Sequence, residues 1–278
     1  GGLTTSRALE AGGNLTFLKS GGGAEQIQRA RGANISLTVL GSVSLLVDDV
    51  VGTGSVSLST GGSVSELGAD TAVDVRAGGL LSVAAGLGIG AAGAIETAAG
   101  RLSLVSSAGA IWIVNEWAVG LVTLNDFRTT GGNLTFEQRG GAGVNLASSS
   151  TNKGGSITVL NGGGLWINSI TVSTTLTLTV DGEVQELNPD SGIDVGGDLL
   201  VIRAGGSVGS LNALELSVWN LDVVSGGSVN VVNRSGGLTT ARQINAVGSV
   251  TYLKTGGGGE QLQLVRGGSV SVTVVGAV

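Results

Sequence analysis

Two stretches carry carboxylates at matching spacing. Glu66, Asp70 and Asp74 lie in "VSELGADTAVDV" (64–75), and Glu186, Asp190 and Asp194 lie in "VQELNPDSGIDV" (184–195). Oxygen ligands gathered at one corner are what Ca²⁺ takes, so these six are the candidates for it. Paired carboxylates also hydrolyse glycosidic bonds. A reactive pair written twice at one spacing reads more simply as scaffold. In that reading Asp70 and Asp190 cap a turn, while the other acids sit on outward strand positions. Neither a catalytic nor a cofactor-binding residue is assigned, and no metal is assigned beyond those calcium candidates.

The remaining chemistry is sparse. The chain has no His, Cys or Met. The commonest general base, thiolate ligands and any disulfide framework are therefore excluded. "SGGGAEQ" (20–26) and "TGGGGEQ" (255–261) lack the GK[ST] ending of a phosphate loop. Their repeated Glu25–Gln26 and Glu260–Gln261 read as an outward polar ladder, and Lys19 and Lys254 as scaffold. Trp112 in "AIWIV" and Trp166 in "GLWIN" lie between apolar neighbours and should face outward. With Trp219 they are candidates for surface contact, by packing or by stacking on sugars. Trp117 falls in an expected loop. Asn14, Asn34, Asn133 and Asn233 form sequons, which corner asparagines also explain.

The elements that must position these residues follow from composition and repeats. Among 278 residues there are 52 Gly and one Pro, and charged residues make up only 12%. Abundant Val, Leu and Ile argue against disorder, and glycine without a three-residue period excludes collagen. A net charge of −6 and a pI near 4.6 speak against nucleic acid as a partner. No uninterrupted apolar run is long enough for a transmembrane helix. The absence of an initiator Met and a leader suggests a piece of something longer.

Residues 1–43 align without a gap to residues 236–278, with 24 identities at an offset of 235. A weaker copy lies between them: "GGNLTF" at 12–17 recurs at 131–136. Super-repeat units of about 118 residues follow, 12–130 and 131–246, with the next beginning at 247. Inside each, short alternating segments come every nine or ten residues, separated by Gly, Asn, Ser or Asp. Evenly spaced strands could form a sandwich, barrel, propeller or solenoid. Hairpin dipeptides are scarce, no blade-length repeat is visible, and units join without a linker. These features favour an all-β, parallel β-solenoid running continuously through 1–278. A coil of about 20 residues would hold two strands, and a longer coil three.

The glycine-led "GGxLTF…GGxIxV" wording, absent cysteine and scarce proline resemble the repeat regions of filamentous-haemagglutinin-like bacterial exoproteins. That resemblance implies a right-handed parallel β-helix within a giant secreted adhesin. It implies an extracellular or cell-surface location and no catalytic motif. The expected function is a structural or adhesive, non-catalytic fibre segment mediating attachment. Its expected partners are neighbouring coils or copies, end to end or lateral, and cell-surface glycans or another cell. A β-helical polysaccharide-processing enzyme or polysaccharide-binding module is the alternative. Ice binding through "TTLTLTV" (174–180) is disfavoured because Thr is irregular elsewhere.

Overall fold

A computed structural model describes residues 2–276 apart from 69, 91 and 161. The described residues hold strands and turns and no helix. The chain forms two compact units, 1–140 and 141–278.

In the first unit each segment pairs in parallel with the one a coil later. Thr4 stands over Glu25, Leu9 over Ala30 and Leu15 over Ile35. The next coil repeats this with Glu25 over Leu45, Ala30 over Val50 and Ile35 over Val56. The unit is a parallel β-solenoid. A coil of about 20 residues thus carries three paired segments, not the two that nine- or ten-residue strands would give at this length. The reason is visible in strand Glu25–Gly32. Its burial alternates through Glu25 and Ile27, then Gln28 and Arg29 both face out, and alternation resumes at Ala30. Two successive outward residues turn the corner without breaking the strand. Strand Leu45–Gly52 does the same at Asp48 and Asp49. Arg31 reaches Asp49 across this corner at 2.6 Å.

The second unit is built the same way. Val144 pairs with Leu165, Ser149 with Ile170 and Gly155 with Leu176, all in parallel. Strand Thr239–Ala246 turns its corner at Arg242 and Gln243. The aligned ends of the sequence keep one register. Thr239 stands over Glu260 as Thr4 does over Glu25, and Val250 stands over Val270 as Leu15 does over Ile35.

Inward positions make apolar columns. Ile35 and Leu37 sit over Val56 and Leu58, each no more than 2% exposed. Phe127 and Phe136 meet edge to face at 6.1 Å. Asparagine substitutes for backbone at two corners. Asn115 accepts from Ala99 N–H and donates to Ala99 O, both at 3.1 Å, and Asn233 treats Val218 alike. Buried backbone groups that a ladder would otherwise satisfy find their partners there. The exposed Asn14 and Asn34 are bonded side chain to side chain at 2.9 Å, a corner ladder.

Close spacing of coils requires glycine at certain corners. A Cβ on Gly109 would lie 1.5 Å from Leu87 O, whereas one on Gly12 would meet nothing within 4 Å. Gly109→Ala is therefore expected to cost about 1–3 kcal/mol, as overpacking does, and Gly12→Ala nearly nothing. Urea midpoints of the two variants check this.

Candidate functional site

Each unit has a corner that swells to eight residues. Val47 pairs with Glu66 and Val50 with Val75, so the two corner residues 48–49 are succeeded by eight, 67–74. In the second unit Ile167 pairs with Glu186 and Ile170 with Val195, so 168–169 are succeeded by 187–194. The next coil turns nearby, at Gly90 and Gly209. Both glycines have positive φ, 67° and 65°. Their N–H groups bond Val64 O and Val184 O at 2.9 Å. A Cβ there would also meet Trp112 O and Asn230 O, each at 2.2 Å.

Carboxylates collect between these stacked excursions. Glu66, Asp74 and Glu96 each bring an oxygen into a group whose members all lie within 4.8 Å of one another. Glu186, Asp194 and Glu215 form the second such group. Backbone geometry fixes them. Asp74 N–H donates to Glu96 O at 2.9 Å, while Glu96 N–H donates to Asp74 Oδ2 at 3.0 Å. Asp194 and Glu215 repeat both bonds at 2.8 Å.

Asp70 and Asp190 take another role, the turn-capping one. Asp70 N–H donates to Glu66 Oε1 at 2.8 Å, and Asp70 Oδ1 accepts from Ala72 N–H at 2.6 Å. Asp190 N–H likewise donates to Glu186 Oε1 at 2.8 Å, and Asp190 Oδ1 accepts from Gly192 N–H. These are Asx turns. The other acids were expected on outward positions, and there the structure differs. Asp74 and Asp194 are 3% exposed and Glu186 7%, with Glu66 half-buried. The excursion folds its polar end back over the corner, so alternation read from flanking residues does not apply.

Burial dominates the electrostatics. It pushes Asp74 up to about 8 and Asp194 to about 7, with repulsion from the neighbouring carboxylates adding to it. Burial and the charge of Glu66 raise Glu96, and burial and Glu186 raise Glu215. Compensation by cations is thin: Arg234 Nη2 stands 3.7 Å from Glu215 Oε1, and Arg139 acts on Glu96. Glu96 Oε2 and Glu215 Oε2 are buried with no hydrogen-bond partner. Such a group can share protons or hold a hard cation.

Glu96 and Glu215 were missed at the sequence level. The signal existed: Ala94-Ile95-Glu96 and Ala213-Leu214-Glu215 recur at an offset of 119, one residue short of the 120 that relates the other acids. Each follows an apolar residue in a strand, as an ordinary outward position does.

The expected outward ladder at Glu25 and Glu260 is also corrected. Glu25 is 2% exposed and accepts from Thr4 and Ser6 Oγ at 2.6 and 2.8 Å, with Lys19 Nζ at 3.2 Å. Burial alone would raise its pKa, but those donors outweigh burial and hold it below the ordinary value. Glu260 accepts Tyr252 OH at 2.9 Å. Lys254 is fully buried, donates to Ser235 O, and has its pKa lowered by that burial.

Trp112 and Trp219 face outward, 45% and 50% exposed. Trp166 is half-buried on an outward position, its ring close to Gly164. Trp219 and Trp117 lie over Gly237 and Gly100, where a Cβ would approach the rings to 2.6 and 3.1 Å. Comparison with protein-family models, with curated proteins and with solved structures found no match.

Proposed function

We propose that this chain is a structural, adhesive segment of a large secreted or cell-surface fibre of the filamentous-haemagglutinin-like kind, and that it is non-catalytic. The observation that carries the reading is the reuse of one coil. The same register recurs 235 residues apart, and the acid groups recur with their backbone bonds. Function in such a chain resides in length and in the outward faces, where attachment to like fibres, glycans or another cell would occur.

A polysaccharide-processing role would need carboxylates that a sugar can reach. Asp74 and Glu96 are 3% and 5% exposed, too enclosed to flank a glycosidic bond. Polysaccharide binding without turnover is the second reading, favoured by the outward rings of Trp112 and Trp219.

Incubating the purified chain with acidic and neutral polysaccharides, while following reducing-end release and light scattering, tests both. The expected result is self-association without turnover. Turnover abolished by Glu66→Gln or Asp70→Asn would overturn the fibre reading. Binding lost in Trp112→Ala or Trp219→Ala would transfer it to the second.

A further inference from the structure

We propose that Glu66, Asp74 and Glu96 together hold one divalent cation of calcium's size and hardness, and that Glu186, Asp194 and Glu215 hold a second. The inference stands apart from the fibre reading and does not depend on it. Three features carry it.

The first is geometry. Oxygens on opposite sides of Ca²⁺ lie roughly 4.6–5.2 Å apart, from bond lengths of about 2.3–2.6 Å. All three oxygens of each group fall within 4.8 Å, the span of one such coordination sphere. The second is satisfaction. Glu96 and Glu215 are each 5% exposed, and each has an oxygen, Oε2, that no donor reaches. A buried carboxylate oxygen left bare is costly, and a cation removes the cost. The third is recurrence. Both units build the group from an eight-residue excursion and the following coil, with the same Asp side chain to Glu backbone bond.

The donors are all oxygen, which selects hard cations over zinc or copper. Mg²⁺ is the weaker fit, since it keeps several waters and such an enclosed group leaves them little room. Backbone and carboxylate oxygens of the excursions would complete the sphere. Beside the first group a hollow of about 330 Å³ is lined by Glu66, Leu67, Gly68, Ala92 and Gly93, which offers an entry path. The two groups should not bind equally. Asn212 Nδ2 already donates to Glu186, and Arg234 stands 3.7 Å from Glu215. Among the described residues no side-chain amide donates to Glu66, so the first group should bind more tightly.

Isothermal titration of the EDTA-dialysed chain with Ca²⁺ at pH 8.5 is expected to show two ions per chain. The affinity should be that of extracellular calcium modules, about 10⁻⁴–10⁻³ M. Mg²⁺ at equal concentration should not saturate the sites. Glu96→Gln should remove the tighter site, Glu215→Gln the weaker, and Asp48→Asn, an exposed corner acid, neither. The native chain decides the matter even if a variant fails to fold. No saturable Ca²⁺ binding at pH 8.5 overturns the proposal. Retention of both ions by the Glu96→Gln/Glu215→Gln chain also overturns it.

Discussion

Ile113→Asp is expected to unfold the coils around it, at a cost of several kcal/mol. Ile113 is fully buried and stands in register between Ile95 and Phe136. A carboxylate there would have apolar columns on both sides, and an unpaired buried charge costs far more than the lost methylenes. Phe136 is also held edge to face by Phe127, so the disturbance would spread to the next coil. The neighbouring position supplies the control. Trp112 points the other way and is 45% exposed, so Trp112→Asp should cost less than about 1 kcal/mol. Urea denaturation of both variants is the measurement. Equal losses would mean that the inward and outward assignments of this strand are wrong.

Stability should fall as pH rises from about 5 to 9 in the presence of EDTA. Asp74 and Asp194, at about 8 and 7, bind protons more tightly in the folded chain than an ordinary aspartate near 3.9. Between these values the native state holds more protons than the unfolded one, so the slope of unfolding free energy against pH is negative. Their contribution is fully present below about pH 4 and is lost as pH passes through 7 and 8. Glu96 and Glu215, also raised, act in the same sense. Glu25 acts oppositely: its lowered pKa gives stability that disappears in acid. A maximum near pH 5 follows, with a decline of a few kcal/mol toward pH 9. Asp74→Asn with Asp194→Asn keeps an oxygen to accept the Glu96 and Glu215 N–H groups, so it should flatten the alkaline limb. A doubly substituted chain as pH-sensitive as the native one would remove these groups as the cause.

The solenoid was legible because its evidence is periodic. Alternation in "ISLTV" and "SVSLS" became columns such as Ile35 over Val56, and the 235-residue match became a shared register. The strand count per coil was hidden. Corners such as Gln28–Arg29 and Asp48–Asp49 carry no glycine or proline, so a continuous strand and a bent one read alike. The coil length of about 20 residues was one of two that the sequence allowed, because spacing slips whenever an excursion intervenes: Glu25 to Leu45 is 20 residues, Val50 to Val75 is 25. The acid groups were half visible. Their first two members lie close in sequence, but the third comes from the following coil. Only the shared Ala-Ile/Leu-Glu wording tied it to them.

The excursions also break translational symmetry. Along a plain stretch of coils, one step of about 4.8 Å brings a surface onto a near copy of itself. A partner reading that surface has little reason to prefer one step over the next, and could slide. At 67–74 and 187–194 the repeat is interrupted by eight residues, and each unit acquires a position unlike its neighbours. A uniform ladder thereby gains an address.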